Sequence, residues 1–436
     1  MPPEVAVAAR KASLFGRRGR ISRVVGLTLE ATGPRALVGE LCRVQRTGNG
    51  TLLAEVTGFR DGRTLLTPLG DPGGVGPGNL VEAAGCVLGI PVGPGLLGRV
   101  VDGLGRPIDS LGPLEVTSWR AVDSPAPPAM DRPPIGLPLP TGVKAIDGVL
   151  TCGRGQRMGI FAGSGVGKST LLGMMARFTE AEVNVIALIG ERGREVREFL
   201  DRDLGEEGRK RSVVVAATSD QPALVRIKAA MVATAIAEYF RDQGKHVLLT
   251  MDSLTRFAMA QREVGLANGE PPAARGYTPS VFSMLPRLLE RAGCSPAGSI
   301  TGFYTVLVEG DDTMEPVADS LRAILDGHVV LSRDLAARGH YPPIDVLLSI
   351  SRLMPEVVDE GTLRSALEVR KVLAVYREAE DLINIGAYAP GQNPAIDHAC
   401  RHIGPVLEFL RQDRDERAGF EATGTALKGL FGEEGT

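Results

Sequence analysis

The feature that most constrains this chain is a glycine-rich loop, Ala-Gly-Ser-Gly-Val-Gly-Lys-Ser-Thr at positions 162–170. The apolar run before it, 158–162, predicts a buried strand, and residues 171–178 after it predict a helix. Such a strand, turn and helix form a phosphate-binding loop, because glycines let backbone N–H groups approach phosphate and the helix N-terminus adds partial positive charge. Alanine replaces the first consensus glycine. The residues predicted to bind nucleotide phosphates are Gly163, Ser164, Gly165, Val166, Gly167, Lys168, Ser169 and Thr170.

Three side chains are expected to contact the phosphates and a metal ion. Lys168 should contact the β- and γ-phosphates, and the Ser169 hydroxyl should ligate Mg²⁺. The apolar run 246–251 predicts a buried strand that ends in Asp252, whose carboxylate would hold Mg²⁺ through water. The sequence therefore predicts a site for ATP and Mg²⁺, with Ser169 and Asp252 on the metal.

Hydrolysis also needs a group that polarises the attacking water. Ser253 directly follows Asp252, so this carboxylate must come from another strand. The strand predicted at 184–189 leads through a glycine into Glu191 and Arg192, which places them at the sheet edge where α/β proteins bind ligands. We predict that Glu191 is the catalytic carboxylate and that the charges following Arg192 are solvated.

The core around the loop reads as a parallel sheet. Apolar β runs alternate with helical stretches such as 222–240, which indicates a sheet covered by helices on both faces. The predicted strands are 158–162, 184–189, 212–217, 246–251 and 299–308.

The two flanks have different patterns. Short β runs at 21–29, 37–44, 52–59 and 63–67, separated by turns, predict a small barrel. Beyond position 361 the sequence is mostly helical, and Thr362 is a plausible N-cap. A proline-dense crossing at 125–140 excludes helix there. The fold class predicted is α/β, with an N-terminal β-barrel and C-terminal helices.

Charge and composition limit the partners. The chain has a net charge of −3, although residues 1–24 carry six Arg and Lys against one acid, Glu4, with a helix expected at 5–14. A nucleic-acid binder is usually more basic, and single-strand binding by a barrel needs aromatic platforms, of which this stretch offers only Phe59. We expect a structural or oligomerising barrel and no nucleic-acid partner.

The sequence also gives expectations about the cellular location of the protein and about metal binding. No secretory signal is present, and the longest uncharged apolar stretch, 83–98, is broken by glycine and proline. The five cysteines form no CxxC pair, which fits free thiols in a reducing cytosol. His398 and His402 are expected on a partly buried helix face, because Ala399 stands where a zinc-protease motif requires glutamate. The expected location is cytoplasmic, and work at a membrane would be as a peripheral protein.

Three stretches together resemble the family of rotary ATP synthase α/β subunits and type III secretion ATPases: the phosphate loop, the strand end at 190–195, and Pro-Pro-Ile-Asp-Val-Leu-Leu-Ser-Ile-Ser at 342–351. Residues 218–226, 252–263 and 269–282 resemble the secretion branch. Residues 24–30 and 381–388 are more similar to flagellar export ATPases than to injectisome ATPases.

This resemblance implies a P-loop RecA-like core and a homohexameric ring that hydrolyses ATP and delivers export substrates to a membrane gate. It implies that Arg352 reaches the neighbouring subunit's site, where a cation supplied in trans stabilises charge on the γ-phosphate. Arg192 and Arg256 match arginines near the phosphates, and Tyr341 matches an adenine-stacking aromatic, with simple packing as its alternative. The expected division is a basic segment (1–17), a barrel domain (18–92), a P-loop ATPase domain (93–361) and a helical domain (362–436).

The resemblance further implies a regulatory stator-like protein at the N-terminus, a central stalk-like protein, the export gate and substrate–chaperone complexes. An acidic lipid surface could attract residues 1–24, and a solvated basic tail is the alternative. Four other functions remain to be weighed: an injectisome ATPase, a rotary synthase catalytic subunit, an RNA translocase and a noncatalytic scaffold. The presence of both Glu191 and Arg352 argues against the scaffold.

Overall fold

The computed structural model describes residues 17–48, 50–308 and 315–432, so the helix expected at 5–14 lies outside the described residues. In the described part of the N-terminal region, six antiparallel strands close into a barrel in the order β1-β2-β5-β4-β3-β6. Its interior is filled by small and branched apolar side chains such as Ile21, Leu29 and Val44. The strands are β1 (Arg18–Val25), β2 (Thr28–Thr32), β3 (Glu40–Gln45), β4 (Thr51–Arg60), β5 (Arg63–Pro68) and β6 (Leu80–Val87).

The barrel differs from the sequence prediction in two places. The single strand expected at 21–29 is wrong, because Gly26 at φ 54° turns the chain between β1 and β2. The closing strand β6 was not predicted, since its small residues give no clear alternation. It pairs with both β1 and β3 and so completes the barrel.

The segment after the barrel wraps the core. Strand β7 (Gly89–Val92) pairs with β9 (Ser118–Ala121) in a separate ribbon, and β8 (Val100–Asp102) joins the main sheet beside β12. The proline-dense stretch 125–140 contains no α-helix and one 3-10 turn, Ala129–Asp131.

The core is a nine-stranded sheet within the described residues, in the order β17-β16-β10-β15-β13-β11-β12-β8, with β14 paired to β15. Its strands β8, β10–β13, β15 and β16 run parallel. β11 and β12 are buried along their whole length, as expected where helices cover both faces. The remaining strands are β10 (Arg157–Ala162), β11 (Val183–Ile189), β12 (Ser212–Ala217), β13 (His246–Asp252), β14 (Gly293–Cys294), β15 (Ser299–Leu307), β16 (Gly327–Leu331) and β17 (Ile350–Ser351).

The sheet divides the apolar core into two layers, and helices cover each of its faces. The layer on one face includes α5 to α7, and the layer on the other includes α2 and the C-terminal helices. A π-helical turn, Phe199–Leu204, joins α3 to α4. The helices of this region are α1 (Lys144–Val149), α2 (Lys168–Phe178), α3 (Gly193–Glu198), α4 (Gly205–Lys210), α5 (Ala223–Asp242), α6 (Leu254–Ala267), α7 (Pro279–Leu289), α8 (Pro316–Ile324), α9 (Arg333–Ala337) and α10 (Met354–Val357).

Three helices form the C-terminal region: α11 (Glu360–Asn384), α12 (Pro394–Leu410) and α13 (Phe420–Gly429). The N-cap expected at Thr362 is wrong. Asp359 caps α11 instead, because its Oδ1 accepts a hydrogen bond from the Thr362 backbone N–H at 3.0 Å. The predicted α/β class, with a barrel before the parallel sheet and helices after it, is confirmed. None of the described helices combines the length and hydropathy that crossing a bilayer requires.

Candidate nucleotide site

The phosphate loop lies between the carboxyl end of β10 and the first turn of α2, as the sequence predicts. Gly165 and Gly167 have φ of 77° and 100°, a region that glycine enters without steric cost. Lys168 then begins α2, a helix of 11 residues. The loop therefore has a backbone that only its glycines allow, and it faces the positive end of the helix dipole.

Three charged side chains from distant parts of the sequence meet at this edge of the sheet. Lys168 Nζ lies 2.6 Å from Asp252 Oδ1 and 3.7 Å from Glu191 Oε1. Thr305 on β15 also donates a hydrogen bond to Asp252 Oδ1, at 2.8 Å. The sequence prediction missed Thr305, because sequence order does not reveal that β15 lies between β10 and β13.

The turn that carries Glu191 is fixed by its neighbours. The Gly190 N–H donates to the Ala217 carbonyl at 2.7 Å, and the Ser219 N–H donates to the Glu191 carbonyl at 3.0 Å. Gly190 has φ 70°, and a Cβ at this position would lie 3.0 Å from Arg256 Cβ. Glycine is therefore required here both by conformation and by the close approach of Arg256.

The carboxyl of Glu191 has an unusual protonation equilibrium. Burial is the main cause that raises its pKa to about 7, and the negative charge of Asp252 adds to this, while Lys168 opposes it. The neighbouring Glu195 has a lowered pKa, chiefly because of its hydrogen bond with Glu191. A carboxyl whose pKa lies near neutrality is suited to accept and release a proton at working pH.

Two buried polar atoms at this site have no hydrogen-bond partner within the described residues, namely Glu191 Oε1 and Arg256 Nε. Buried polar groups are normally satisfied, so unpartnered ones at a cleft indicate a place for a ligand. Ser169 and Asp252 supply a hydroxyl and a carboxylate, the hard oxygen donors that Mg²⁺ prefers. The described residues hold no group of three or more His, Cys, Asp or Glu suited to a metal ion. A hydroxyl and a carboxylate beside a phosphate-binding loop fit a cation that is also held by phosphate oxygens.

The other predicted residues lie further from this cluster. Arg192 is the N-cap residue of α3, and its side chain is 77% exposed and lies 3.8 Å from a Glu195 oxygen. Tyr341 is half-exposed and its ring lies over Gly167, since a Cβ built there would be 3.8 Å from Tyr341 Cε1. Arg352 follows the edge strand β17 and donates to the Arg322 carbonyl at 3.1 Å, so it is not grouped with Lys168 within one chain.

The C-terminal region reaches this side of the site through a residue that the sequence prediction missed. The Gln412 backbone N–H donates to the Tyr341 carbonyl at 2.9 Å. Its side-chain amide also donates to the Gly142 carbonyl at 2.8 Å and accepts from the Lys144 N–H. The loop after α12 thus connects Tyr341 to the start of the sheet domain.

The histidine pair lies elsewhere and binds protein groups. His402 Nδ1 lies 2.9 Å from the His398 carbonyl oxygen, and His398 Nε2 lies 3.1 Å from Glu368 Oε1. Both rings also pack against Phe431. These contacts join α11 and α12 to the segment that follows α13.

Sequence models of known families match three consecutive parts of the chain. The beta-barrel domain of the ATP synthase alpha/beta family matches residues 21–85, and its nucleotide-binding domain matches residues 142–351. The C-terminal domain of the type III secretion ATPase EscN matches residues 358–429. The loop, Glu191 and Asp252 all fall within the nucleotide-binding match.

Whole-chain relatives agree with these matches. The chain is 53% identical over 423 residues to the flagellum-specific ATP synthase of Bacillus subtilis, covering 96% of both chains. It is also 53% identical over 411 residues to the type 3 secretion system ATPase of Xanthomonas euvesicatoria, covering 94% of this chain and 93% of the relative. The solved structure of the assembled ATPase EscN from enteropathogenic E. coli superimposes with a TM-score of 0.90 at 47% identity, covering 95% and 100%. A second structure holds EscN in complex with its central stalk EscO, with a TM-score of 0.88 at 46% identity over 95% and 100%.

Proposed function

Because the chain belongs to the ATP synthase alpha/beta family and shares the C-terminal domain of type III secretion ATPases, we propose that it is the ATP-hydrolysing motor of flagellar protein export. It would deliver export substrates to the membrane gate. An injectisome ATPase is the second candidate, since a relative from that system has the same 53% identity. The export role draws on the flagellum-specific relatives and on residues 24–30 and 381–388.

The observation that carries the proposed chemistry is the meeting of Lys168, Glu191 and Asp252 at one sheet edge. In the proposed mechanism the Lys168 ammonium leaves the Asp252 carboxylate and contacts phosphate oxygens instead, while the loop N–H groups hold the phosphates. Glu191 then orients the attacking water and takes its proton, which its raised pKa permits. Arg256, packed on the Glu191 turn, would stabilise negative charge on the phosphates, and Arg192 would assist from α3.

Magnesium fits the same site. Ser169 and Asp252 would hold Mg²⁺, which neutralises charge on the β- and γ-phosphate oxygens when bound. Tyr341, half-exposed above Gly167, would stack on adenine.

Assembly completes the proposed site. Within one chain Arg352 follows the edge strand β17 and contacts the Arg322 carbonyl, so we propose that it reaches the γ-phosphate of the neighbouring subunit in a homohexameric ring. The assembled EscN structure supports such a ring, and the EscN–EscO complex supports a central stalk-like partner. A stator-like regulator at the N-terminus, substrate–chaperone complexes and an acidic lipid surface at the inner membrane are further partners that we propose. We also propose that the boundaries between the N-terminal segment and the three domains lie after residues 17, 92 and 361.

Two measurements test this function. The first is ATPase activity per subunit against protein concentration, which should rise steeply as rings assemble, with K168A inactive throughout. Activity per subunit that stays constant from monomer to hexamer would contradict the shared site. The second is complementation: the gene should restore motility to a strain that lacks its flagellar export ATPase. Restored needle secretion without motility would instead support the injectisome alternative.

A further inference from the structure

The first glycine of the phosphate loop is covered by a cation that the proposed mechanism does not use. A methyl group built on Gly163 would lie 2.9 Å from Arg333 Nε and 3.0 Å from Arg333 Nη2. The guanidinium thus occupies the space where a side chain at position 163 would stand. Gly163 is buried, whereas Arg333 is exposed. The φ of Gly163 lies outside the left-handed region, so space, and not conformation, is what restricts this position.

The fold sets this contact through two neighbouring strands. β10 and β16 pair in parallel with Ala162 beside Leu331, so the residues that follow each strand leave the sheet side by side. Gly163 follows β10, and Arg333 begins α9 two residues after β16 ends. Ser332 holds that start in place, because its N–H donates to the Pro343 carbonyl at 2.8 Å and its hydroxyl accepts from the Leu335 N–H. The position of Arg333 is therefore determined by the sheet.

Two other arginines that line the same cavity form ion pairs with carboxylates. The cavity, of about 520 Å³, lies behind the loop and is lined by residues that include Arg333, Arg338 and Arg377. Arg338 donates to Glu380 at 3.0 Å, and Arg377 donates to Asp345 at 2.9 Å. Both pairs connect the chain that follows α9 to α11. Arg333 is the member of this set whose guanidinium lies against the phosphate loop.

We propose that Arg333 is a positioning residue for the phosphate loop. The first peptide of a glycine-rich loop has no side chain that could anchor it, and a planar guanidinium packed on Gly163 restricts its motion before the ligand arrives. A loop that is already ordered loses less entropy on binding, so nucleotide affinity rises. The positive charge also adds to the field that attracts phosphate. This inference rests on the proposed function, because the ligand of the loop is taken to be a nucleoside triphosphate.

The first test separates binding from chemistry. In the full-length protein, we expect R333Q to raise the Kd of a fluorescent ATP analogue, and the KM for MgATP, by about tenfold, as loss of a charged contact does. The kcat should change less than twofold, and R333K should recover most of the affinity. R338Q is the matched control, because it replaces an arginine of the same cavity that pairs with Glu380. It should bind the nucleotide as wild type does. A Kd for R333Q within twofold of wild type overturns the proposal.

The second test is a double-mutant cycle between the two contacting residues. G163A should displace the guanidinium and so weaken binding as much as R333A does, and the double variant should be no weaker than either single one. Losses that multiply in the double variant would show that the contact is irrelevant. K168A distinguishes the two proposals: normal binding by K168A contradicts the nucleotide site itself, whereas lost binding by K168A with normal binding by R333Q contradicts Arg333 alone. Thermal unfolding confirms that each variant is folded.

Discussion

Two buried charge clusters in this molecule differ in how their charged groups are paired. The first, called here the wrap cluster, consists of Arg120, Glu238 and Arg291 and attaches the wrapping segment to the core. Arg291 Nε and Nη2 contact the two oxygens of Glu238 at 2.8 and 2.9 Å, and Arg120 contacts the same carboxylate at 3.2 Å. Arg291 also donates to the Val122 carbonyl at 2.9 Å. Arg291 and Glu238 are almost wholly buried, and their charges are paired.

The second, the loop cluster, consists of Lys168, Glu191 and Asp252. Here one cation serves two carboxylates, and the 3.7 Å separation from Glu191 is too long for a hydrogen bond. Burial and Asp252 raise the pKa of Glu191 to about 7. In the wrap cluster both oxygens of the buried Glu238 carboxylate are paired with Arg291, which stabilises the fold. In the loop cluster the Glu191 carboxylate keeps an oxygen, Oε1, without a hydrogen-bond partner in the described part of the chain, and this oxygen remains available for a ligand. The comparison predicts that changes in the loop cluster affect chemistry, and that changes in the wrap cluster affect stability.

The largest effect is expected at Glu191. E191Q should lower the turnover of ATP by about 10²–10⁴-fold, the usual contribution of a general base. Binding of the nucleotide should stay close to wild type, because glutamine keeps the shape of the side chain. The unfolding free energy at neutral pH should be no lower than that of wild type, because glutamine removes a poorly compensated charge. Steady-state ATPase assays, nucleotide titration and urea unfolding measure the three quantities. E198Q on α3, whose side chain is 45% exposed, is the control. Unchanged turnover in E191Q would overthrow the assignment of the base.

Arg352 should produce the next largest effect. R352A should lower hydrolysis about 10³-fold, as removal of an arginine supplied in trans does, without weakening nucleotide binding. Mixing R352A subunits with K168A subunits should restore part of the activity, because some sites then combine an intact loop with an intact Arg352. No recovery in mixed rings that are shown to form would place Arg352 outside the neighbouring site.

The wrap cluster should respond in stability. R291M leaves Glu238 buried without its bidentate partner, which costs about 3–5 kcal/mol of unfolding free energy. The double variant E238Q/R291M should recover part of this loss, because no buried carboxylate is left without a cation and Arg120 keeps its contact with Asp242 at 2.8 Å. Urea unfolding of both variants gives the free energies. An R291M protein as stable as wild type would remove the contrast between the clusters.

The sequence predicts one cluster better than the other for a physical reason. The loop cluster consists of residues that follow apolar strands, and parallel strands end at a common edge, so the order of residues along the chain is enough to group Lys168, Glu191 and Asp252. The wrap cluster joins a helix, a loop and a short edge ribbon, whose packing no local pattern specifies. Thr305 and Arg333 were missed for the same reason, because only the strand order places them beside Asp252 and Gly163.

The barrel shows a similar limit. Its strands with apolar alternation were found, but β6 was missed and the turn at Gly26 was not recognised. Both errors concern small residues, where side-chain pattern gives little information and the closure of the sheet decides the pairing. Composition argues against a nucleic-acid barrel, which stays a prediction, but composition could not supply the strand that closes this barrel.

A smaller effect should appear in the pH dependence of stability. The folded-state pKa of Glu191, about 7, exceeds the usual value near 4.3, so the folded protein binds more protons than the unfolded chain between these limits. Glu191 therefore makes the protein lose stability as the pH rises from about 4.3 to 7, with no further change above. E191Q should lack this part of the slope. Asp147, whose pKa burial raises to about 6, titrates in the same window, so the difference between wild type and E191Q is the measure. Parallel profiles would contradict the raised pKa.

The smallest effect is expected at an exposed pair, Arg197 and Asp201, four residues apart. Their Nε–Oδ2 distance of 2.6 Å is shorter than any contact within the wrap cluster, so distance alone would rank this pair as the stronger one. Their side chains are 79% and 51% exposed, however, and water and salt screen such charges. R197A should change the unfolding free energy by less than about 0.5 kcal/mol. Urea unfolding at low and high salt measures this change beside that of R291M. If R197A lowered the unfolding free energy as much as R291M does, burial would not be what decides which ion pairs stabilise this fold.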